Sequence, residues 1–302
     1  MCYSMKKSVL SLCAAIIAAV AVAISCRTAN AAAEPLSESC IVTDSLQSRL
    51  LGCTQKFNLY LPQGYTPAKN YPVIYLLHGL WGSYPDWDSK GRVKVAADII
   101  MAEGSCLPAV IVMPNAGDPD VHHYQSGYFN VEGWPYEDFF FKELMPAVEK
   151  RYHCGGSKAR RAVMGLSMGG GGTIVYAQRH TDIFSSAYGM SSWLDNNNRT
   201  PHTYEIPDSK LKLTDLAVQE HSALDFVRNA DDATVAKLKE VHWFLDCGDD
   251  DYLLLQSLEL HKLYREKGIK SELRVRDGAH NWEYWHTALY TALPFASRYF
   301  GR

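Results

Sequence analysis

One serine in this sequence has the neighbours that a nucleophile needs. Ser167 lies in Gly165-Leu166-Ser167-Met168-Gly169, a G-x-S-x-G pattern between a short apolar segment and a helix-like segment. Glycines beside the serine permit a tight turn from strand to helix, because side chains there would clash. The turn exposes the serine hydroxyl and points a helix N-terminus toward the reacting group. The pattern therefore predicts nucleophilic catalysis by Ser167.

A serine hydroxyl becomes a strong nucleophile only when a base takes its proton. In hydrolases with this pattern, an acid and then a histidine follow the serine along the chain. His280 follows the last predicted strand, whereas His261 and His286 lie in helical patterns and His242 lies at a strand start. We therefore expect His280 to be the base.

The acid that orients this histidine is expected after the predicted strand at residues 241–246. Three consecutive aspartates, Asp249, Asp250 and Asp251, follow that strand. A Gly-x-x-Asp turn that begins at Gly248 favours Asp251. Asp249 and Asp250 stay open as alternatives, or as turn residues and caps of the next helix.

The oxyanion of the tetrahedral intermediate needs two hydrogen-bond donors. We expect one to be the backbone N–H of Met168, which follows the nucleophile. The other is expected to be the backbone N–H of Leu80, in the turn after His78-Gly79, with His78 bracing that turn. This chemistry requires no metal and no cofactor, so neither is expected.

Strand-like and helix-like segments alternate along nearly the whole chain. Strands are predicted at residues 71–77, 108–113, 162–165, 183–190, 241–246 and 271–276, with two more within 40–61. Helices are predicted at residues 93–103, 136–151, 169–179, 223–239, 252–267 and 282–299, whereas 115–135 and 191–222 are expected to be mostly irregular. Such alternation predicts one α/β domain over residues 40–302, with a mostly parallel central sheet and helices on both faces.

With these residues in place, the chain resembles the putative-esterase family of α/β-hydrolases. That family includes feruloyl and acetyl-xylan esterases, S-formylglutathione hydrolases, siderophore esterases and mycolyltransferases. The resemblance implies the α/β-hydrolase fold, a triad of Ser167, Asp251 and His280, and oxyanion donors at Leu80 and Met168. This chain differs from relatives at Ala279, because relatives commonly have a second glycine there, before the histidine. The segments that carry it are Leu76-Leu77-His78-Gly79, Val112-Met113-Pro114-Asn115, Tyr136-Glu137-Asp138, Gly165-Leu166-Ser167-Met168-Gly169-Gly170, Asp246-Cys247-Gly248-Asp249-Asp250-Asp251 and Gly278-Ala279-His280-Asn281-Trp282.

The first 31 residues have the composition of an export signal. Lys6 and Lys7 precede an uncharged, apolar run over residues 8–26. Residues 23–26 resemble a bacterial lipobox that would lipidate Cys26 and attach the protein to a membrane. Residues 29–31 form a site for ordinary signal peptidase, with cleavage after Ala31. We therefore expect a leader (1–31), a linker (32–39) and a protein that is either a surface or outer-membrane lipoprotein, or periplasmic or secreted.

The composition is ordinary for a globular protein, with 47% hydrophobic and 21% charged residues and a net charge of −3. Because no basic cluster stands out, we expect no nucleic-acid partner. Five cysteines follow the leader; Cys40 and Cys53 could form a disulfide across a hairpin, although free thiols are the simpler expectation.

Aromatic residues, 12% of the chain, concentrate after predicted strand ends, where open α/β sheets build their sites. Aromatic surfaces suit a sugar or a phenolic acyl group, although many of these residues are also expected to pack the loops. The candidates for substrate contact are Trp81, Tyr128, Trp134, Tyr136, Trp193 and Trp282.

These observations predict an exported serine esterase that removes feruloyl or acetyl groups from plant polysaccharide or oligosaccharide. One alternative is an acyltransferase that passes the same acyl group to a sugar or lipid. Another is a non-catalytic carbohydrate-binding protein with a hydrolase fold, which the intact set of serine, aspartate and histidine disfavours. The expected partner is a small-molecule or oligosaccharide ester, and the sequence carries no signature of oligomeric state.

Overall fold

The computed structural model describes residues 34–117, 127–196 and 209–301, and the side chains of residues 209–212 are not described. The predicted leader, including Cys26, lies outside the described residues, so leader and lipidation stay predictions. Among the residues that are described, no helix is both long and apolar enough to cross a membrane.

Eight of the strands in the described residues form one sheet, in the order β1-β2-β4-β3-β7-β8-β9-β10. The pairs β1–β2 and β2–β4 are antiparallel, and the remaining pairs are parallel. A short antiparallel hairpin pairs β5 with β6. This arrangement confirms the predicted α/β fold with a mostly parallel sheet. The strands are β1 (Cys40–Gln47), β2 (Thr54–Leu61), β3 (Val73–Leu77), β4 (Val110–Pro114), β5 (Asn130–Val131), β6 (Trp134–Pro135), β7 (Arg161–Leu166), β8 (Ser186–Met190), β9 (His242–Gly248) and β10 (Ser271–Arg276).

Helices cover both faces of this sheet. One-turn π and 3₁₀ segments lie at Phe140–Leu144 and Lys158–Arg160. The α-helices are α1 (Asp86–Ser89), α2 (Val93–Ala102), α3 (Tyr136–Phe139), α4 (Met145–Tyr152), α5 (Met168–Arg179), α6 (Ser209–Glu220), α7 (Ala223–Arg228), α8 (Asp232–Leu238), α9 (Leu254–Glu266) and α10 (Trp282–Ser297).

The hydrophobic core divides into two clusters because successive side chains of a strand point to opposite faces. In β3, Val73, Tyr75 and Leu77 pack into one cluster with side chains of α5 and α9. Ile74 and Leu76 pack into the other, with side chains of α2 and α10. The strand is therefore buried on both faces, as expected for the middle of a parallel sheet.

The structure departs in part from three local predictions. The helix predicted at 223–239 is two helices, because Ser222 caps α7 at Asp225 N–H and Asp231 caps α8 at Thr234 N–H. The segment 191–222, expected to be mostly irregular, contains α6, whose Ala217 and Val218 are buried against the core. The loop at 115–135 contains the β5–β6 hairpin.

The five cysteines of the described residues are free thiols, so no disulfide joins Cys40 to Cys53. Burial raises the pKa of Cys154 above its ordinary value, and raises that of Cys106 to about 11. These thiols therefore stay protonated at neutral pH and are poor nucleophiles.

Candidate functional site

Ser167 occupies the sharp turn between β7 and α5. Its backbone has φ 53° and ψ −118°, a conformation that L-residues rarely adopt. Hydrogen bonds hold this strained position: the Ser167 N–H donates to the Met190 carbonyl at 2.8 Å, and the Ser167 carbonyl accepts from Gly171 and Trp193. The serine is thus fixed at the N-terminus of α5.

The flanking glycines are required by close approach of the backbone. A Cβ at Gly165 would lie 2.5 Å from the Gly169 carbonyl oxygen. A Cβ at Gly169 would lie 2.4 Å from the His78 carbonyl oxygen. Any side chain at either position would push apart the turn that carries Ser167.

The loops after β9 and β10 bring an acid and a base to this serine. The His280 Nε2 lies 3.0 Å from the Ser167 Oγ, and the His280 Nδ1 lies 2.8 Å from the Asp251 Oδ2. The Asp251 side chain is fully buried and the His280 side chain is 17% exposed. This geometry supports one tautomer, in which Nδ1–H donates to the carboxylate and Nε2 accepts from the serine hydroxyl.

Among the three adjacent aspartates, Asp251 is the one that hydrogen-bonds to His280. Burial opposes its ionisation, but hydrogen bonds from the His280 ring, the Leu253 N–H and the Ser191 hydroxyl outweigh burial and hold its pKa below the ordinary value. Asp251 is therefore ionised at neutral pH, as an acid that orients a histidine must be.

The other two aspartates are exposed and form an acidic cluster with Asp277. Their carboxylate oxygens lie within 4.8 Å of one another. Asp249 accepts a hydrogen bond from the Gly278 N–H at 3.0 Å and so ties the β9 loop to the β10 loop. Within the described residues, this cluster is where a cation would find several oxygen ligands, although exposed acidic groups are common without one.

The two predicted oxyanion donors lie on the two turns nearest the serine. Met168 is the first residue of α5. A Cβ built on Gly79 would lie 3.4 Å from the Ser167 Cβ, so the turn that leads to Leu80 packs directly beside the nucleophile. Backbone N–H groups on two sides of a serine are a suitable arrangement for an oxyanion.

His78 braces that turn, as expected. Its Nδ1 lies 2.8 Å from the Gly79 carbonyl oxygen, and its Nε2 lies 3.0 Å from the Ala116 nitrogen. Burial lowers the pKa of His78 to about 4. The ring is therefore neutral, so that Nδ1–H donates and Nε2 accepts.

Four of the six aromatic candidates are buried, which argues against direct contact with a substrate. Tyr128 and Tyr136 are fully buried, Trp193 is 4% exposed and Trp134 is 5% exposed. The hydroxyl of Tyr128 donates to the His78 carbonyl at 3.0 Å. These four rings pack in the hydrophobic cluster on one face of the sheet.

The other two candidates reach the surface. Trp81 follows the proposed oxyanion donor Leu80 and is 55% exposed. Trp282 is half-buried and packs edge-to-face on Trp87 and Trp285, with ring centroids 5.4 and 5.3 Å apart. Trp81 is therefore the aromatic candidate with the most surface for a ligand.

Three side chains beside the histidine and the aspartate were not among the candidates: Tyr252, Trp285 and Ser191. Tyr252 is 66% exposed, and its ring centroid lies 4.6 Å from that of His280. Trp285 is buried, meets His280 edge-to-face at 4.9 Å, and donates its Nε1–H to the Ser191 Oγ at 3.0 Å. The available signals were the position of Tyr252 directly after Asp251 and that of Trp285 shortly after His280.

A family model described as "Putative esterase" matches residues 48–296 of this chain. A solved structure of a ferulic acid esterase is 42% identical, with a TM-score of 0.81, over 87% of this chain and 99% of its own.

An endo-1,4-beta-xylanase/feruloyl esterase from Xylanibacter ruminicola is 32% identical over 142 residues, which are 45% of this chain and 19% of that relative. The match thus spans about a fifth of the length of this curated relative. An S-formylglutathione hydrolase structure from Staphylococcus aureus, 20% identical over 86% of this chain and 100% of its own, has a TM-score of 0.71 and shares the fold.

Proposed function

Because this chain belongs to the putative esterase family of α/β-hydrolases, we propose that it hydrolyses carboxylic esters through a covalent acyl-enzyme on Ser167. The proposed substrates are feruloyl esters of plant polysaccharide or oligosaccharide. Family membership and the similarity to a ferulic acid esterase over most of both chains support this substrate class. The family match confirms the predicted enzyme class, a carboxylic ester hydrolase.

The proposed reaction begins when the Ser167 Oγ attacks the ester carbonyl carbon. His280 Nε2 accepts the hydroxyl proton, and the Asp251 carboxylate stabilises the resulting imidazolium. The oxyanion accepts hydrogen bonds from the backbone N–H groups of Met168 and Leu80. The carbon–oxygen bond to the alcohol then breaks, and the alcohol oxygen takes the proton from Nε2.

Water completes the proposed cycle. His280 takes a proton from a water molecule, whose oxygen attacks the acyl carbon. The bond from that carbon to the Ser167 Oγ then breaks, Nε2 returns its proton to Oγ, and the carboxylic acid leaves. The observation that carries the mechanism is the continuous chain from Ser167 Oγ to Nε2 at 3.0 Å and from Nδ1 to Asp251 at 2.8 Å. A strained backbone at Ser167 adds to it, since such strain collects at active sites.

Export is part of the proposal and rests on the composition of residues 1–31 alone. Mass spectrometry of the protein from its native host would distinguish a lipoprotein from a protein cleaved by ordinary signal peptidase. A diacylglycerol-modified N-terminal Cys26 supports the lipoprotein, and an N-terminus at residue 32 supports ordinary cleavage.

Hydrolysis of methyl ferulate and p-nitrophenyl acetate by wild-type protein and by Ser167→Ala tests the mechanism. We expect Ser167→Ala to lower kcat by about 10⁶-fold and to abolish labelling by a fluorophosphonate probe. A suitable control is Ser192→Ala, because Ser192 is fully buried nearby and its Oγ has no hydrogen-bond partner within the described residues. Activity that survives in Ser167→Ala would exclude the proposed nucleophile.

A panel of feruloylated and acetylated xylo-oligosaccharides tests the substrate. A higher kcat/KM for the feruloyl esters supports the proposal, and a preference for the acetyl esters contradicts it. Transfer of the acyl group to an added sugar, detected in the products, would instead indicate an acyltransferase.

A further inference from the structure

We propose that Tyr252 and Leu255 form the binding surface for the sugar ring of the leaving alcohol. The inference rests on the proposed function, since it assumes that Ser167 and His280 cleave a sugar ester. It adds where the alcohol binds and what its chemistry is. The alcohol is a neutral sugar that lies across an exposed aromatic and aliphatic surface.

Tyr252 lies beside the base, His280. Within the part of the chain that the structure describes, the rings of Tyr252 and Trp285 contact the His280 imidazole, with centroid distances of 4.6 Å and 4.9 Å. Trp285 is 6% exposed, whereas Tyr252 is 66% exposed. Tyr252 is therefore the ring beside the base that a ligand can reach.

The base meets the alcohol side of the ester. Nε2 of His280 delivers its proton to the oxygen of the departing alcohol, so that oxygen must come within hydrogen-bond distance of Nε2. The acyl carbonyl oxygen points instead to the backbone donors at Met168 and Leu80. An exposed ring that contacts His280 is consequently placed for the alcohol.

Exposed leucines follow Tyr252 along the chain. Leu255 is 75% exposed, and Leu258, one turn further along α9, is 37% exposed. Residues three apart lie on one face of a helix, so Leu255 and Leu258 share an exposed face of α9, and Leu255 is the third residue after Tyr252. An aromatic ring is a suitable partner for the apolar C–H face of a sugar, because its π face carries partial negative charge.

The charge next to this surface selects among sugars. Asp249 and Asp250 lie in the β9 loop that leads to Tyr252, Asp277 lies in the β10 loop, and these three exposed residues bring their carboxylate oxygens within 4.8 Å of one another. Carboxylates accept hydrogen bonds from sugar hydroxyls but repel an acidic sugar. The subsite is therefore suited to a neutral pentose or hexose and unsuited to a uronic acid.

The kinetic test compares two ferulate esters that share the acyl group and differ in the alcohol. The substrates are feruloylated xylotriose and methyl ferulate. We expect Tyr252→Ala to lower kcat/KM for the sugar ester by about tenfold, the size of one aromatic contact, and Leu255→Ser to lower it by severalfold. Because Tyr252 also contacts His280, Tyr252→Ala should lower kcat/KM for methyl ferulate as well, but severalfold less than for the sugar ester. Tyr252→Phe, which keeps the ring, should retain the sugar preference.

Tyr290→Ala is the matched control, because Tyr290 is a 39% exposed tyrosine on α10. It should behave as wild type on both esters. Equal losses on both esters in Tyr252→Ala would show that Tyr252 supports His280 instead of binding sugar, and no loss on either would remove it from the site. Both outcomes overturn the proposal.

A binding measurement separates this inference from the proposed reaction. Calorimetric titration of xylotriose into Ser167→Ala protein requires no turnover. We expect xylotriose to bind, and its affinity to fall about tenfold when Tyr252→Ala is added. Glucuronic acid should not bind. Absence of xylotriose binding overturns the subsite even if methyl ferulate is cleaved. Failure of wild-type protein to cleave any ester would overturn the proposed function and leave this titration to decide on the subsite.

Discussion

Replacement of Asp251 by asparagine would show which of the three adjacent aspartates orients the base. The carboxylate of Asp251 accepts hydrogen bonds from the Leu253 N–H, the His280 ring and the Ser191 hydroxyl. Its Oδ1 accepts from the Leu253 N–H at 2.9 Å, and its Oδ2 lies 2.8 Å from the His280 Nδ1. The side chain is fully buried, so water cannot replace either partner.

Asparagine has one acceptor and one donor where aspartate has two acceptors. In Asp251→Asn, the amide oxygen faces the Leu253 N–H, because a buried donor left without an acceptor is costly. The amide NH₂ then faces Nδ1, which must accept. The His280 proton consequently moves to Nε2, and this nitrogen can no longer take the proton of Ser167.

The wrong tautomer is expected to lower kcat by about 10⁴-fold, or about 5 kcal/mol in activation free energy. The change in stability should be small by comparison, since the two side chains have the same shape. The assay is kcat on methyl ferulate and p-nitrophenyl acetate, with a urea unfolding curve to confirm that the variant is folded.

Asp249→Asn and Asp250→Asn are the matched controls. Both residues are exposed, and an asparagine oxygen at position 249 can still accept from the Gly278 N–H. Each should retain at least half of the wild-type kcat. The reasoning is refuted if Asp251→Asn keeps more than a tenth of the activity, or if either control loses more than about 100-fold.

Three further substitutions test the framework of the site. Gly169→Ala puts a methyl 2.4 Å from the His78 carbonyl oxygen, so we expect a loss of about 1–3 kcal/mol in unfolding free energy and a fall in kcat. Gly104→Ala, where the methyl meets open space but φ is +75°, should lose about 1–2 kcal/mol through backbone strain and leave kcat unchanged. Arg274→Met leaves the fully buried Asp246 carboxylate without its cation, which should cost about 3–5 kcal/mol in urea unfolding; a loss below about 1 kcal/mol would contradict this. Burial lowers the pKa of His78 from 6.5 to about 4, so the unfolded chain binds a proton between these values that the folded chain does not. Stability should therefore decrease as pH falls from 6.5 to 4, by about 3 kcal/mol from this residue. His78→Gln, which keeps an acceptor for the Ala116 N–H, should make the decrease shallower by that amount, and equal slopes would count against the interpretation.

The fold was largely predictable from the sequence because buried parallel strands have a strong local pattern. Runs such as Val73–Leu77 are apolar at every position, and such a run is long enough only for a strand that is covered on both faces. The segment at 191–222 was harder, because α6 is stabilised by burial of Ala217 and Val218 and its own apolar periodicity is weak. Tertiary contacts that no local window contains decide such helices.

The candidate site was predictable to the extent that its chemistry is local. Ser167 requires glycines on both sides, and those glycines are visible as a motif. The histidine has to follow the last strand, so the order along the chain was enough to favour His280. Both predictions use constraints that act within a few residues or through the order of elements.

The sequence by itself therefore determined the nucleophilic turn, the order of the three groups and the α/β class, because each depends on backbone conformation or chain order. Only the tertiary structure decided which of three consecutive aspartates turns inward, since adjacent residues of a turn point in different directions and packing selects one of them. It also decided which aromatic side chains meet solvent. Tyr128 and Tyr252 are the same residue type in loops around one site, yet one is fully buried beneath the oxyanion turn and the other is 66% exposed beside His280. Burial depends on what packs above a residue, and that information is distributed over the whole chain.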